Sequence, residues 1–225
     1  MFVLVVDDDP IVRMTHLALL AKLPELKAAG ASCVAETRRE LQKRQPDAVL
    51  LDMQLPDGNG LEVMSLLDEQ CDYGAHGPVA RVVIVSAQLE SEKPAQRINP
   101  RLHKLAKPVQ LRELLQYFRS PPPAPNSLAP FAVSDYLQLA CTGAHSVRLQ
   151  CSGPQGSGEI QIVDGHPWSA RDAQGRGDPA FHRLNTSASR VQVIPPDNQR
   201  PPRDLIADWE SLLLPTASPA LTESL

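Results

Sequence analysis

Acidic residues stand at the ends of two apolar runs in the first half of the chain. Asp7 and Asp8 follow the run 2–6, and Asp52 follows the run 48–51. Carboxylates held close together repel one another and raise their pKa values unless a cation joins them. Oxygen ligands completed by water suit Mg²⁺, and a carboxylate beside the ion can attack a phosphoryl group. These residue types therefore indicate magnesium-assisted phosphoryl transfer to an aspartate.

Two further polar side chains fit the same chemistry. Ser86 follows a fourth apolar run, and Lys107 follows a fifth. A lysine binds a phosphate oxygen as a point charge, and a small hydroxyl can donate a hydrogen bond to another. A haloacid-type phosphatase also uses an aspartate nucleophile, but it needs a second acid two residues later, where this chain has Gln54. The pattern therefore favours a phosphoacceptor over a phosphatase.

These side chains can meet only if the apolar runs are neighbouring strands of one sheet. Helical patterns separate the runs, and Asp9 before Pro10 is typical of a helix cap. Alternating strands and helices predict a parallel sheet with helices on both faces, and ligands bind at the carboxyl ends of such strands. Asp57 and Gly58 have the composition of a turn. The predicted strands are 2–6, 31–35, 48–51, 81–85 and 102–106, and the predicted helices are 10–23, 36–44, 61–68 and 111–118.

Four stretches of this half resemble the signatures of the bacterial response-regulator receiver domain: VLVVDDDP, LLDMQLPDGNGLEVM, VIVSA and KLAKPV. The resemblance covers residues 1–119 and implies the CheY-like (flavodoxin-like) fold, a doubly wound five-stranded parallel α/β sheet. It implies that Asp52 accepts phosphate from a sensor histidine kinase or a phosphotransfer protein, and that the cofactor is Mg²⁺. The implied metal ligands are Asp7, Asp8, Asp52 and the backbone carbonyl of Gln54. The implied phosphate contacts are Ser86, the backbone of Ala87 and Lys107, and the bond before Pro108 is expected to be cis.

Two departures from this family concern the switch. Lys104 stands where receivers often carry an aromatic residue, and Pro94 and Pro100 interrupt the stretch after Ser86, in which receivers have their fourth helix. A charged side chain enters an apolar slot only at a large desolvation cost, so Lys104 should stay outside. We therefore expect a poor dimer surface where receivers have their fourth helix, fifth strand and fifth helix, the last two being strand 102–106 and helix 111–118 here. Phosphorylation is expected instead to change how the two halves dock or to open a surface for a partner.

A proline-rich stretch, 120–130, separates this half from a different second half. Five prolines in eleven residues predict an extended spacer, and we expect the two halves to fold independently. Residues 131–200 alternate apolar and polar side chains around an Asp164–Gly165 hairpin signal, which predicts a small α+β domain. This half resembles the PatA-like output domain of unknown function, through the stretch GEIQIVDGHPWSA and its flanking motifs. The resemblance covers residues 128–196. Residues 201–225 are expected to form an amphipathic helix on Leu205, Ile206, Trp209, Leu212 and Leu213, followed by a disordered end.

Composition narrows the function classes. The chain has 225 residues and a formal net charge of −4, so no strongly basic balance indicates a nucleic-acid partner. No apolar run approaches the roughly 20 residues of a membrane helix, and the start is too acidic for a signal peptide. Four scattered cysteines favour reduced thiols over a disulfide or zinc module. These features predict a cytoplasmic protein without a membrane partner.

The leading interpretation is a two-component response regulator that is not itself an enzyme. It would signal through phosphorylation-dependent contact with an unidentified downstream protein, and a homodimer is left open. A DNA-binding transcriptional regulator is one alternative, which would need a basic face. A regulator with an enzymatic cyclic-dinucleotide output is the other, which would need a longer second half and a metal cluster there.

Overall fold

The computed structural model describes residues 1–70, 80–86, 99–119, 130–196 and 200–213. In the first half, strands and helices alternate as the sequence predicts. In chain order the elements are β1 (Phe2–Val6), α1 (Pro10–Leu20), β2 (Lys27–Ala31), α2 (Val34–Lys43), β3 (Ala48–Asp52), β4 (Gln54–Leu55), β5 (Gly58–Asn59), α3 (Gly60–Glu69), β6 (Arg81–Ser86), β7 (Leu102–Ala106) and α4 (Leu111–Arg119).

Five parallel strands form one sheet in the order β2-β1-β3-β6-β7. Every residue of β1 and β3 is buried, because these strands are central and an apolar core covers each face. On one face, Val3 and Leu50 belong to the core that includes Leu20 of α1. On the other, Leu4 and Leu51 belong to the core that includes residues of α2 and α3. The predicted doubly wound, five-stranded parallel sheet is confirmed.

The second strand lies earlier than predicted. The expected strand was 31–35, whereas β2 covers Lys27–Ala31 and α2 begins at Val34. β2 pairs with β1 over its whole length as an edge strand of the sheet. Its sequence, KAAGA, contains no β-branched side chain and therefore gives little strand signal. The first helix also ends sooner than predicted, at Leu20.

The second half is a small α+β unit, as predicted. Its elements are α5 (Val133–Thr142), β8 (Val147–Gly153), β9 (Gly156–Val163), β10 (His166–Asp172), β11 (Gly175–Arg176), α6 (Asp178–Ser187), β12 (Arg190–Ile194) and α7 (Trp209–Leu213). The strands form an antiparallel sheet in the order β11-β10-β9-β8-β12. The turn between β9 and β10 has positive φ at Asp164 (50°) and Gly165 (76°), which is the backbone that a two-residue hairpin requires.

The two halves touch through α3. The backbone N–H of Val193 in β12 donates to Ser65 Oγ at 3.3 Å, and side chains such as Met64 and Leu137 belong to one continuous buried cluster. The sequence predicts an extended spacer between the halves, and the described residues on either side of that spacer lie against each other. Composition reveals a spacer without revealing which surfaces meet. Residues 120–129 of the spacer lie outside the described residues, and independent folding of the halves stays a prediction.

The tail packs on the second half, but its helix is shorter than predicted. Leu205 and Leu212 join the buried cluster, whereas Ile206 is 87% exposed. The predicted apolar face is therefore wrong at its start. The backbone N–H of Leu205 donates to the carbonyl of Trp168 at 3.1 Å, which holds this segment against β10, and α7 begins only at Trp209. Residues 214–225, predicted to be disordered, lie outside the described part of the chain.

Within the ranges that the structure describes, no helix combines the length and the apolar character that crossing a membrane requires.

Candidate functional site

Three carboxylates meet at the carboxyl edge of the parallel sheet. Asp7 and Asp8 follow β1, Asp52 ends β3, and one oxygen from each lies within 4.8 Å of the others. β1 pairs directly with β3, so both strands deliver their last residues to the same place. Asp7 and Asp52 are only 2% and 8% exposed, whereas Asp8 is open to solvent. The predicted convergence of these acids is present in the fold.

Lys107 brings a positive charge into this cluster from just beyond β7. Its Nζ lies 2.5 Å from Asp52 Oδ2 and 3.3 Å from Asp7 Oδ2. The peptide bond between Lys107 and Pro108 is cis, as the sequence predicts. Lys107 therefore bridges the two buried carboxylates, while the exposed Asp8 completes a surplus of negative charge.

Burial and neighbouring charges together shift the pKa values of Asp7 and Lys107. Burial raises the pKa of Asp7; the charge of Lys107 opposes this, the charge of Asp52 adds to it, and the net direction is upward. Burial alone would lower the pKa of Lys107, but its hydrogen bond to Asp52 and the charges of Asp52 and Asp7 outweigh burial and raise it. Lys107 is therefore held in its charged form. The upward direction at Asp7 marks a carboxylate that a further cation would stabilise.

Backbone N–H groups orient the acids. Asp9 donates its N–H to Asp7 Oδ1 at 3.0 Å, and Gln54 donates its N–H to Asp52 Oδ1 at 3.3 Å. Asp9 also caps α1, as predicted, because its Oδ1 accepts from Ile11 N at 2.7 Å and Val12 N at 3.3 Å. Gln54, whose carbonyl is the expected fourth ligand, begins β4 two residues after Asp52. The carboxylates of Asp7 and Asp52 thus accept hydrogen bonds from backbone groups at the starts of α1 and β4.

The remaining predicted site residues lie on β6 and β7 or follow them. Ser86 ends β6 and is paired with Ala106 at the end of β7, so its backbone lies at the same sheet edge as the acids. Ala87 and Pro94 lie outside the described residues. Lys104 lies on β7 opposite Ile84, and its side chain is half-buried. Its register position is two residues before the edge at which the acids meet.

Asp57 has a role that the sequence did not reveal. We predicted only a turn there, but its carboxylate oxygens accept the backbone N–H groups of Val34 at 2.8 Å and Ala35 at 2.9 Å. Burial would raise the pKa of Asp57, but these hydrogen bonds outweigh it and lower the pKa. The loop after Asp52 is therefore fixed to the first turn of α2. Nothing in the local sequence signals a partner 23 residues away.

A second charged cluster lies at the opposite, amino edge of the sheet. Fully buried Arg101 places Nη1 2.7 Å from Asp68 Oδ1 and donates from Nε to the carbonyl of Ala80 at 3.2 Å. Phe131 donates its backbone N–H to Asp68 Oδ2 at 2.9 Å, and its ring centre lies 4.1 Å from the guanidinium carbon. We call Asp68, Arg101 and Phe131 the amino-edge clamp. It joins α3 and the residue that precedes β7 in the first half to the start of the second half.

We call Asp7, Asp8, Asp52 and Lys107 the carboxyl-edge cluster. This cluster has the chemistry of a small divalent-cation site. Its donors are carboxylate oxygens, which are the ligands that Mg²⁺ prefers. The group at Asp7 is buried with a raised pKa, and Asp8 stands at the exposed side, where water can complete the coordination of an ion. The residues present therefore fit Mg²⁺. The amino-edge clamp differs, since both oxygens of Asp68 already accept hydrogen bonds from protein groups.

Comparisons with known proteins place the first half. Residues 3–119 match the family model of the response regulator receiver domain. The sensory transduction protein LytT of Bacillus anthracis is 44% identical over 66 residues, which are 29% of this chain and 27% of that protein. An uncharacterized response regulatory protein of Vibrio cholerae is 28% identical over 155 residues, covering 65% of this chain and 60% of that protein. Among solved structures, the response regulator domain of Thermotoga maritima CheB has 24% identity and a TM-score of 0.42, covering 53% of this chain and 93% of that chain.

The match to these two curated relatives spans 27% of LytT and 60% of the Vibrio cholerae protein. The family model, by contrast, covers more than half of this chain and includes both strands that deliver the acids. The chain therefore belongs to the response regulator receiver family of two-component signalling.

Proposed function

We propose that Asp52 accepts a phosphoryl group while Mg²⁺ is held by Asp7, Asp8, Asp52 and the backbone carbonyl of Gln54. One observation supports this above all: three carboxylates lie within 4.8 Å of one another, beside a lysine 2.5 Å from Asp52. Such an arrangement binds a cation and a phosphoryl group together, because the cation offsets the repulsion that the acids otherwise suffer.

In the proposed step, a carboxylate oxygen of Asp52 attacks the phosphorus of the donor. A new P–O bond forms, the bond from phosphorus to the donor breaks, and the donor leaves with the electron pair. Bound Mg²⁺ would supply charge stabilisation to the phosphoryl oxygens. Lys107 would transfer its contact from the Asp52 carboxylate to one phosphoryl oxygen as a point charge. We assign the Ser86 hydroxyl and the backbone N–H of Ala87 to the other oxygens.

The donor is inferred from the family. Receiver domains are phosphorylated by histidine kinases or phosphotransfer proteins, and we propose such a protein as the donor here. The chain would then act as a phosphoacceptor and would not turn over another substrate. Its relatives match over only part of their lengths, so their outputs are not assigned to this chain.

We further propose that phosphorylation changes the docking of the second half, which resembles a PatA-like output domain. α3 provides a physical connection. At its first residue, Gly60 donates its N–H to the carbonyl of Met53 at 3.0 Å, next to the phosphoacceptor. Further along, Ser65 and Asp68 bind β12 and Phe131 of the second half. A shift of α3 at one end would therefore alter the contact at the other and expose a surface for a downstream protein.

Labelling with a small phosphodonor tests the phosphoacceptor. The full chain with Mg²⁺ should incorporate phosphate, and Asp52→Asn should abolish incorporation because an amide cannot act as the nucleophile. Asp47→Asn is the matched control, since Asp47 precedes the other end of β3 and binds the backbone N–H of Phe2; it should label normally. Labelling of Asp52→Asn at the normal rate would exclude Asp52 as the acceptor.

A gel-shift experiment separates this proposal from transcriptional regulation. From Leu128 onward the chain has seven arginines, no lysine and ten acids, so the phosphorylated protein should not retard DNA even at low salt, where charge-driven binding is strongest. A shift that weakens steeply with added salt would instead support a DNA-binding output.

A further inference from the structure

Arg13 on α1 binds the backbone of both acids that follow β1. Its Nη1 donates to the carbonyl oxygen of Asp7 at 2.6 Å and to that of Asp8 at 3.2 Å. These two carbonyls belong to consecutive peptide planes, so one guanidinium group fixes the orientation of the chain on both sides of Asp8. The direction in which the carboxylates point depends on those planes.

Other contacts complete this arrangement. Asp7 donates its N–H to the carbonyl of Ala31 at 3.1 Å, and Asp9 donates its N–H to Asp7 Oδ1 at 3.0 Å. Arg13 binds the carbonyls of Asp7 and Asp8, so the backbone on both sides of the Asp7–Asp8 peptide is hydrogen-bonded to other segments. Without the guanidinium, the carbonyl of buried Asp7 would lose its partner, which carries a desolvation penalty.

The neighbouring strand leaves room for the Arg13 side chain. A Cβ atom added at Gly30 of β2 would lie 3.2 Å from Arg13 Cδ and 3.4 Å from Arg13 Cγ. The stem of Arg13 therefore runs across the backbone of Gly30 on its way to the acidic segment. A larger residue at position 30 would therefore crowd the stem of Arg13.

We propose that Arg13 is a positioning residue for the magnesium site. It acts through the backbone of Asp7 and Asp8 and touches neither the ion nor the phosphoryl group. The inference rests on the proposed function, because it assumes that these acids bind Mg²⁺. Two effects of Arg13 oppose each other: its positive charge repels a cation, whereas its hydrogen bonds hold the ligands in place. Groups that orient metal ligands typically change metal affinity by roughly tenfold to a hundredfold, and we expect this positioning effect to be the larger one.

Calorimetric titration of the full-length protein with Mg²⁺ tests the proposal. Arg13→Ala should weaken Mg²⁺ binding by roughly tenfold or more, and Arg13→Lys should give an intermediate constant because it keeps a charge and a donor on a different geometry. Arg39→Ala is the matched control, since Arg39 donates to the carbonyl of Ala35 within its own helix; it should bind as the wild type does.

A second control separates positioning from general loosening. Leu20→Ala removes a buried side chain from the same helix and should lower the thermal midpoint without changing the Mg²⁺ constant. If Arg13→Ala does not fold, Arg13→Lys carries the comparison. Binding by the Arg13 variants as tight as wild type, or tighter, overturns the inference while the proposed function stands. A wild-type protein that binds no Mg²⁺ overturns both.

Discussion

The two edges of the parallel sheet each hold an aspartate beside a basic side chain, yet they differ in how completely the charges are satisfied. At the amino edge, Asp68 and Arg101 are 8% and 0% exposed at the side chain and lie 2.7 Å apart. At the carboxyl edge, Lys107 lies between Asp52 and Asp7 and keeps 26% of its side chain exposed. One edge is a closed pair, and the other is an open cluster with more acid than base.

This difference indicates a structural role for the amino edge and a chemical role for the carboxyl edge. The oxygens of Asp68 accept from Arg101 and from the backbone of Phe131, so the amino-edge clamp can fix one surface to another. The carboxyl-edge cluster includes Asp8, which is exposed, and Asp7, whose pKa burial raises. An arrangement that is unfavourable alone gains stability when a cation binds. The same residue types therefore serve as a clamp at one edge and as a binding site at the other.

Breaking the clamp should have the largest effect. Asp68→Ala removes the carboxylate that lies 2.7 Å from buried Arg101, and losing one partner of a buried ion pair costs about 3–5 kcal/mol. We expect a loss of this size in the free energy of unfolding, measured by urea denaturation. Lys43→Ala is the control, because the Lys43–Glu40 pair is exposed and surface pairs contribute about 0–1 kcal/mol. Equal losses in both variants would contradict the distinction between the two edges.

The contacts of the amino-edge clamp could not be predicted from the sequence, unlike the positions of the acids at the carboxyl edge. Each acid of the carboxyl edge could be placed from local pattern, because an apolar run such as Phe2–Val6 predicts a buried strand and the residue after it falls at the strand end. Asp68 and Arg101 are 33 residues apart, and Phe131 is 63 residues from Asp68. No periodicity links positions so distant, and the contact of Phe131 with Asp68 also depends on how the second half docks.

The predicted position of the edge strand β2 was wrong for a different reason. Its exposed, alanine- and glycine-rich sequence lacks the apolar signal of a buried strand, and its position follows from pairing with β1. Arg13 and Asp57 were missed because both act on backbone groups of other segments. The sequence therefore predicts the elements whose apolar side chains signal that they are buried. It does not predict positions and contacts that depend on hydrogen bonds between distant segments.

Neutralising the open cluster should change stability in the opposite direction. Without Mg²⁺, Asp7→Asn should stabilise the fold by less than about 2 kcal/mol, because the folded state raises the pKa of Asp7 and so disfavours its charged form. The wild type should lose stability relative to the variant as the pH rises from the ordinary Asp range through that raised pKa. Urea denaturation across this pH window measures the difference. A constant difference at every pH would show that the charge of Asp7 is not responsible.

A smaller change is expected inside the second half when the clamp is broken. Burial raises the pKa of the Cys151 thiol to about 12, so it should react slowly with alkylating reagents in the wild type. If the second half folds on its own, Cys151 should stay nearly as protected in Asp68→Ala. Peptide mapping after alkylation measures this, with urea-unfolded protein as the fully reactive control. Rapid modification in the variant would mean that β8 requires the first half.

The smallest effect is expected at Lys104, which belongs to neither edge. Its side chain is half-buried on β7, and keeping its charged end in water avoids the desolvation cost of an apolar slot. The preceding residue, His103, stacks on Tyr117 of α4 with ring centres 4.8 Å apart, on the opposite face of β7 because successive strand side chains alternate. Light scattering with Mg²⁺ and beryllofluoride should therefore show no new dimer, and Lys104→Glu should change nothing. A ligand-induced dimer that Lys104→Glu disrupts would place the output on this surface and not on the contact between α3 and the second half.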